Sequence, residues 1–598
     1  MPANKLLSTH AWMRCLCFFL LTASVCLAQN NPIPHIDLPL NPSHWSTVSG
    51  LGLTLTVRGS GFVSGSVVNW NGSPRATTLV SKTVLHAVVL AADVTANGTA
   101  AITVTNPAPG GGTSDAVYFP IHEKRTTVAL ARRDYPQSFA TRTFLHASAI
   151  GDFNEDGKVD IAVATTGVGI EVFPGDGAGG FAAPVVTASS YAPYQLFVGD
   201  FNGDGHLDLL AFQSLSRGPN SSVVIFLGKG DGSFTQQPTL AITGYGLALG
   251  DFNGDGKLDL AINTDLFHLQ TYSGNGDGTF SGPQLVWAVT RGNVNTPIVG
   301  DFNRDGTLDI AICGQAFDAH GRPFEVLNMF RGKGDGTFWK TKSTLLAGVL
   351  NNNGVAVADF NHDGKLDIIG DSGIVLLGNG DGTFSTGASL SLLSTSSMQT
   401  ADMNNDGNQD LVVQDIVPTN NNTYSFGVVS VLLGNGDGTF QNALSWNSEA
   451  NLLNTIGIAD FNGDGLLDVV YPNLSQALLN PFPEVSVFLQ TGLSVSPNMF
   501  YFGRVKVGTS SAPRTATLTN TTFGNLEIES IKVNAGIVAD YSLTTTCGSI
   551  LPPNNPCTVS IVFTPTKVAQ DRNATIRIQY KQFTGPQYIE VKGIGTNN

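Results

Sequence analysis

Between residues 152 and 468 the chain repeats Asp-x-Asn-x-Asp-Gly-x-x-Asp seven times. The first-position carboxylates are Asp152, Asp200, Asp251, Asp301, Asp359, Asp402 and Asp460; the third-position amides are Asn154, Asn202, Asn253, Asn303, Asn361, Asn404 and Asn462. The fifth position holds Asp156, Asp204, Asp255, Asp305, Asp363, Asp406 and Asp464, and the ninth Asp160, Asp208, Asp259, Asp309, Asp367, Asp410 and Asp468. Four side-chain oxygen donors from one short loop, with glycine at the sixth position where the chain turns, suit a hard cation. The seventh position (Lys158, His206, Lys257, Thr307, Lys365, Asn408, Leu466) varies freely, as expected of a residue that offers only its carbonyl. Oxygen-only ligation favours Ca²⁺ over transition metals, and Mg²⁺ fits less well because it sheds water reluctantly. Up to seven structural Ca²⁺ ions are expected. Asx-turn hairpins without metal would explain the leading Asp and the glycine, but would leave three carboxylates repelling one another in every copy. The sixth copy, with Met403 and Gln409 where the others carry Phe and mostly apolar residues, is expected to be the loosest site.

The formal charge is −15, which argues against nucleic acid as a partner. Three Asp in each of seven loops make 21 of the 46 acidic residues, so the acidity reads first as metal binding. Extracellular calcium modules bind at about 10⁻⁴–10⁻³ M. At millimolar calcium each site then contributes roughly 0.4–1.4 kcal/mol. Seven sites together approach the net stability of a whole domain.

Residues 1–28 read as a secretory leader: Lys5 and Arg14 precede the apolar run Cys15–Ala28, which is too short for a membrane span. Cleavage is expected after Ala28. A lipoprotein site at Cys26 is the weaker alternative, because Val25 suits the position before it poorly. No second run is long enough to cross a bilayer, so an exported, soluble chain is expected. Of the remaining cysteines, Cys547 and Cys557 flank a short loop and are expected to pair, whereas Cys313 lies in a strand-like run as a buried thiol.

The elements that position these loops are short strands. Gly is abundant at 68 residues, only 13% of residues are charged, and apolar residues fall in short runs. The repeat intervals are 48, 51, 50, 58, 43 and 58 residues, with four strand-like pieces per unit, which marks a β-propeller. In residues 196–242 the pieces are Leu196–Val198, Leu207–Phe212, Val223–Leu227 and the strand after the turn Gly228–Phe234. That turn recurs at Gly274, Gly332, Gly378 and Gly434 and, degraded, at Gly175, but is missing from the seventh unit. Residues 127–135 precede the first loop without a unit of their own. Pairing them with 485–490 would close the ring and remove its exposed edges.

The fold class expected is therefore all-β: a seven-bladed β-propeller over 126–491, flanked by immunoglobulin-like β-sandwiches at 31–122 and 492–598. Phe-Asn-Gly-Asp-Gly-Lys-Leu-Asp at 252–259 resembles the signature of the FG-GAP/VCBS repeats found in integrin α-subunit heads. That resemblance implies calcium in the hairpin loops and binding of proteins or glycans at cell surfaces. Thr54–Phe62, Val68–Gly72 and Thr103–Gly112 resemble the IPT/TIG family. Phe502–Gly508, Thr515–Asn520, Cys557–Pro565 and Val591–Gly595 resemble the ASPM/SPD-2/hydin group.

Strands within a blade alternate in direction, so the Asp loops and Gly turns share one face. The connections on the other face differ widely, as in Gln315–Pro323, Val417–Tyr424 and Gly370–Gly373, and recognition usually sits on such loops. Tyr191, Tyr194, Trp287, Arg291, Phe317, His320, Arg322 and Tyr424 are candidate ligand contacts; packing between blades is the alternative for the same residues. Gly370-Asp-Ser-Gly373 echoes a serine-protease signature without a His-bearing partner motif. The expected function is a secreted, monomeric, non-catalytic calcium-binding adhesion or recognition protein whose partner is an extracellular glycan or protein. A propeller enzyme acting on polysaccharide and a purely structural envelope scaffold are the alternatives.

Overall fold

The computed structural model describes residues 31–598 except 32–33, 46–50, 109–110, 115, 123, 126, 137–144, 192, 214–220, 241, 265–267, 289–295, 318–319, 321–322, 342, 347–353, 393, 419–424, 448–455, 475–482, 522–524, 554, 570–571, 582–586 and 598. The leader expected at 1–28 lies outside the described residues, as do Arg291, Arg322 and Tyr424. Among the described residues no helix is long and apolar enough to cross a membrane.

Seven sheets of the middle segment each contain a four-strand run. In the second blade the strands are Gln195–Gly199, Asp208–Gln213, Ser222–Gly228 and Phe234–Gln236, hydrogen-bonded in that order. Its second and third strands are buried along nearly their whole length because both faces of the sheet are covered by neighbouring blades. This is why those strands read as continuous apolar runs, not as an alternating pattern.

Each blade shares a core with the next. Leu209, Val224 and Phe226 of the second pack with Ala162, Ile170 and Val172 of the first. On their other face, Leu210, Val223 and Ile225 pack with Leu247, Leu260 and Ile262 of the third. Further clusters join the third to the fourth, the fourth to the fifth, the fifth to the sixth, and the sixth to the seventh. The last unites Ile161, Val163 and Phe173 with Val470, Val487 and Leu489, so the cyclic order closes.

Closure is made by the first strand of the ring. Leu130–Pro136 pairs antiparallel with Pro483–Gln490, Leu130 opposite Gln490 and Pro136 opposite Glu484, and supplies the fourth strand that the seventh blade lacks. The blade is therefore built from both ends of the segment, as the orphan run at 127–135 implies.

The flanking units are sandwiches. The first packs the sheet His35–Asn41, Leu53–Ser60, Val84–Val89, Ala76–Ser81 on a second sheet centred on Val67–Trp70 and Gly98–Asn106. Its core holds Leu55, Val57, Leu85, Ile102 and a Trp70–Phe119 ring pair. The last sandwich is stitched by the Cys547–Cys557 disulfide and buries Leu518, Val559, Ile561, Ile576 and Ile578. Inside it, Arg572 Nε donates to Asp540 Oδ2 at 2.5 Å, and Thr566 donates its N–H and hydroxyl to Asp540 Oδ1. Cys313 is a buried free thiol whose pKa burial pushes up.

If the strand Leu130–Pro136 closes the ring, deleting 124–136 is expected to lower the melting temperature of the whole propeller and broaden its transition. Calorimetry on the deletion variant checks this, and an unchanged transition would refute the seam.

The Asp loops as a candidate metal centre

The ninth-position Asp is the pivot of each loop. All seven are buried, at 0–1% exposure. Their Oδ2 accepts the N–H of the second loop residue (Phe153, Phe201, Phe252, Phe302, Phe360, Met403, Phe461) at 2.9–3.1 Å. Their Oδ1 accepts the N–H of a residue at or just past the end of the third strand (Gly175, Gly228, Gly274, Gly332, Gly378, Gly434, Gln490) at 2.6–2.9 Å. One carboxylate thus joins the Asp loop to the Gly turn, which puts both on the same face. Glycine is required in the first six because a Cβ there would meet the eighth-position carbonyl at about 2.2 Å, as at Gly175 and Gly228.

The Gly turn also reaches across to the neighbouring blade. Gly232, Gly278, Gly336, Gly382, Gly438 and Gly179 donate their N–H to the carbonyls of Phe153, Phe201, Phe252, Phe302, Phe360 and Phe461 at 2.9–3.2 Å. The same loop phenylalanines pack edge-on against turn phenylalanines: Phe153 on Phe234, Phe201 on Phe280, Phe252 on Phe338, Phe302 on Phe384, Phe360 on Phe440 and Phe461 on Phe181. The sixth junction has no such pair and no Gly turn beyond it. Here Gln490 substitutes, its Nε2 donating to Met403 O at 2.6 Å and to Leu467 O at 2.8 Å. Met403 is fully buried and Gln409 is 8% exposed, so the departures in the sixth copy do not open that loop.

The remaining positions form a uniform hairpin. In all seven loops the first Asp takes the N–H of the sixth-position glycine on Oδ2 at 2.8–3.0 Å. The fifth Asp takes the seventh-position N–H at 2.9–3.0 Å. Six of the Asn accept the fifth-position N–H at 2.8–3.1 Å; Asn303 donates instead to both oxygens of Asp309. These are Asx turns. They coexist with cation binding, because a carboxylate oxygen that accepts one N–H keeps a further lone pair.

The fourth loop position was not legible. It is left-handed in every copy: Glu155, Arg304, His362 and Asn405 have φ of 54–63°, and the other three are glycine. Glycine at Gly203, Gly254 and Gly463 was the signal that could have found it. Turned outward, some of these residues link adjacent loops. Glu155 bonds His206, and His362 Nε2 lies 2.8 Å from Asn408 Oδ1. The seventh-position side chain therefore carries its own role beside that of its carbonyl.

The electrostatics call for positive charge. Burial first, opposed by backbone hydrogen bonds and reinforced by the neighbouring carboxylates, pushes Asp160 and Asp367 up to about 6 and Asp208, Asp259 and Asp309 up to about 7. Asp410 and Asp468 are raised well above the ordinary value for the same reasons. Among the described residues no three His, Cys, Asp or Glu side chains close into a cage of their own. A loop instead offers carboxylates that raise one another's pKa, one amide and one carbonyl. That donor set fits a hard cation, which would stabilise the ionised carboxylates.

The candidate recognition residues are not gathered into one site. Tyr191 is half-buried and donates its hydroxyl to Ser222 O, against the core of the first two blades. Trp287 packs on Phe330 at 5.4 Å under Lys340 Nζ, 4.5 Å from its centroid. Both are packing residues. Tyr194 and His320 are exposed, and Phe317 ends the strand Asp309–Phe317. Gly370–Gly373 is a tight hairpin closed by Gly373 N–H to Gly370 O at 2.8 Å.

This geometry has a known counterpart. A family model for FG-GAP-like repeats matches residues 152–211, 214–262 and 319–370. The chain carries FG-GAP-like repeats. They stand between an IPT/TIG domain matched at 40–121 and a HYDIN/CFA65/VesB-like Ig-like domain matched at 491–594. A comparison with curated proteins found no match. Among solved structures the chain is similar to an auxiliary nutrient binding protein from Bacteroides ovatus, at 10% identity over 77% of this chain and 98% of that one, TM-score 0.27. It is similar to the plexin A4 extracellular region at 7% identity over 78% of this chain and 62% of that one, TM-score 0.32. It is also similar to a Ca²⁺-stabilized ice-binding adhesin of an Antarctic bacterium at 11% identity over 94% and 98%, TM-score 0.12. At these scores the likenesses carry no argument about function.

A folded-state carboxyl pKa of 6–7 against 3.8 means the folded chain holds protons that the unfolded chain has lost, so stability falls as pH rises through that window. In chelator, the melting temperature of the FG-GAP-like ring is expected to drop between about pH 4 and pH 7. Millimolar calcium is expected to abolish the drop, since the ion binds the ionised form. Thermal melts across pH with EDTA and with calcium check both statements.

Proposed function

We propose that the protein is an exported, calcium-binding, non-catalytic recognition protein that holds a glycan or protein on the propeller face opposite the Asp loops. The observation that carries this reading is the asymmetry of the two faces. The loop face is uniform and is met by the N-terminal sandwich: Ser43 Oγ donates to Asp402 Oδ2 at 2.9 Å and Thr99 to Asp460 Oδ2. The opposite face carries the connections that vary in length and composition, where a rigid scaffold offers diversity. Exposed Tyr194 and His320 lie on such connections.

Calcium in this reading is structural: it neutralises the buried carboxylates and keeps the hairpins in register. The residues that would hold it are the first, third, fifth and ninth side chains and the seventh carbonyl of each loop. The repeated carboxylates all have a structural place: three per copy lie in the Asp loops, and those of the Gly turns, such as Asp231 and Asp277, accept the N–H and hydroxyl of Ser233 and Thr279.

A glycan array and a polysaccharide hydrolysis screen on one sample, each with calcium and with EDTA, test the proposal. Calcium-dependent retention without cleavage is the expected outcome. Released oligosaccharide would overturn the non-catalytic reading in favour of an enzyme, and retention indifferent to EDTA would remove the role of calcium.

A further inference from the structure

The seven loops differ in what covers them. In the sixth and seventh, the first-position carboxylate takes a bond from outside the ring. Asp402 Oδ2 accepts from Ser43 Oγ at 2.9 Å and lies 2.7 Å from His44 Nδ1, and Asp460 Oδ2 accepts the Thr99 hydroxyl. In each case this is the same oxygen that takes the glycine N–H of the loop. The contact continues along the backbone: Arg125 N–H donates to Asn404 O at 2.7 Å. Gly465 lies so close to Gly98 and Ile121 that a Cβ on it would stand 2.6 Å from the Ile121 carbonyl. Asp402 and Asp460 are 2% and 7% exposed, and the fifth-position Asp406 and Asp464 are half-buried where Asp156, Asp204, Asp255 and Asp363 are exposed; Asp251 of the third loop, at 8%, is the other buried first-position carboxylate, on a cavity that Lys82 and Thr83 of the sandwich also line.

Seating the sandwich there covers four loop carboxylates, burying Asp402 and Asp460 and half-burying Asp406 and Asp464, over ninth-position carboxylates that the blades already bury. The basic groups facing them are His44, Lys124, whose Nζ is 3.7 Å from Asp406 Oδ2, and the buried Arg125, which interacts with Asp464. Taking like charges out of water together opposes docking unless counter-charge enters with them. Two divalent ions would supply it. Hydroxyls that fix a ligating carboxylate from behind also raise metal affinity.

We propose that calcium in the sixth and seventh loops fastens the N-terminal sandwich to the propeller, and that docking makes these two the tightest sites of the seven. The inference rests on the calcium reading above and deepens it. Coupling is reciprocal: the factor by which calcium in these loops strengthens docking is the factor by which docking strengthens calcium binding there. It reverses the ranking drawn from Met403 and Gln409, which the structure seats in the core.

The test uses the full chain and calcium chloride. Hydrogen exchange is expected to be slow at 43–45 and 98–100 in calcium and to accelerate in EDTA. Calorimetric titration is expected to resolve two tight ions from a weaker class. The double variant Ser43→Ala, Thr99→Val should weaken the tight pair by about tenfold. Asp359→Asn, in the fifth loop, should cost one weak ion and leave exchange at 43–45 and 98–100 slow. If calcium binds and raises the melting temperature while exchange at those segments ignores it, the latch is wrong and the calcium reading stands. If no calcium is taken up, both fall.

Discussion

The structure depends on a buried carboxylate that cannot be replaced by its neighbours. The ninth-position Asp of each loop takes one backbone N–H from its own hairpin and one from the end of the third strand, with no exposure to water. An unmade hydrogen bond at a buried backbone N–H costs about 1–3 kcal/mol, and each of these residues satisfies two. Its position then fixes the loop phenylalanine, whose carbonyl and ring meet the Gly turn of the next blade. Local hairpin geometry and blade-to-blade register are therefore one constraint, repeated around the ring. The charge that makes the carboxylate a good acceptor is also what makes it costly to bury, and the cation proposed for the loop would resolve that conflict.

Most of this was legible because repetition multiplies a weak signal. The period near fifty, the second-position Phe and the eighth-position apolar residue lead to blades whose loops are pinned in a core, and the orphan run at 127–135 points to the strand that closes them. The sandwiches, too, follow from alternating strands and Gly-rich turns. What was not legible belongs to contacts between parts far apart in sequence. Nothing in Thr99 or Ser43 marks it as a partner of a loop carboxylate some 360 residues away. Nor does Gln490 announce that its side chain stands in for a missing turn.

The candidate contacts on the variable face fared differently, for a physical reason. Aromatic residues serve packing and recognition equally well, so their type alone does not separate the two. Tyr191 and Trp287 turn inward because a blade edge needs large rings to fill the wedge between twisted sheets. The left-handed fourth position shows the opposite case. There the backbone imposes one conformation on Glu, Arg, His and Asn alike, and the side chains of Glu155 and His362 meet the adjacent loop at His206 and Asn408.

The way the ring closes also decides where the two sandwiches can be. Leu130 opens the closing strand opposite Gln490, which sits beside the sixth and seventh loops, so the chain enters and leaves the propeller on the loop face. Thr491 then ties the exits together: its N–H donates to Ala129 O at 2.8 Å, its carbonyl accepts Arg125 at 2.9 Å, and its hydroxyl accepts Gln587 of the last sandwich. Both flanking units are thereby tethered to the loop face, and the bonds that Ser43, Thr99 and Arg125 make to the ring all fall on it.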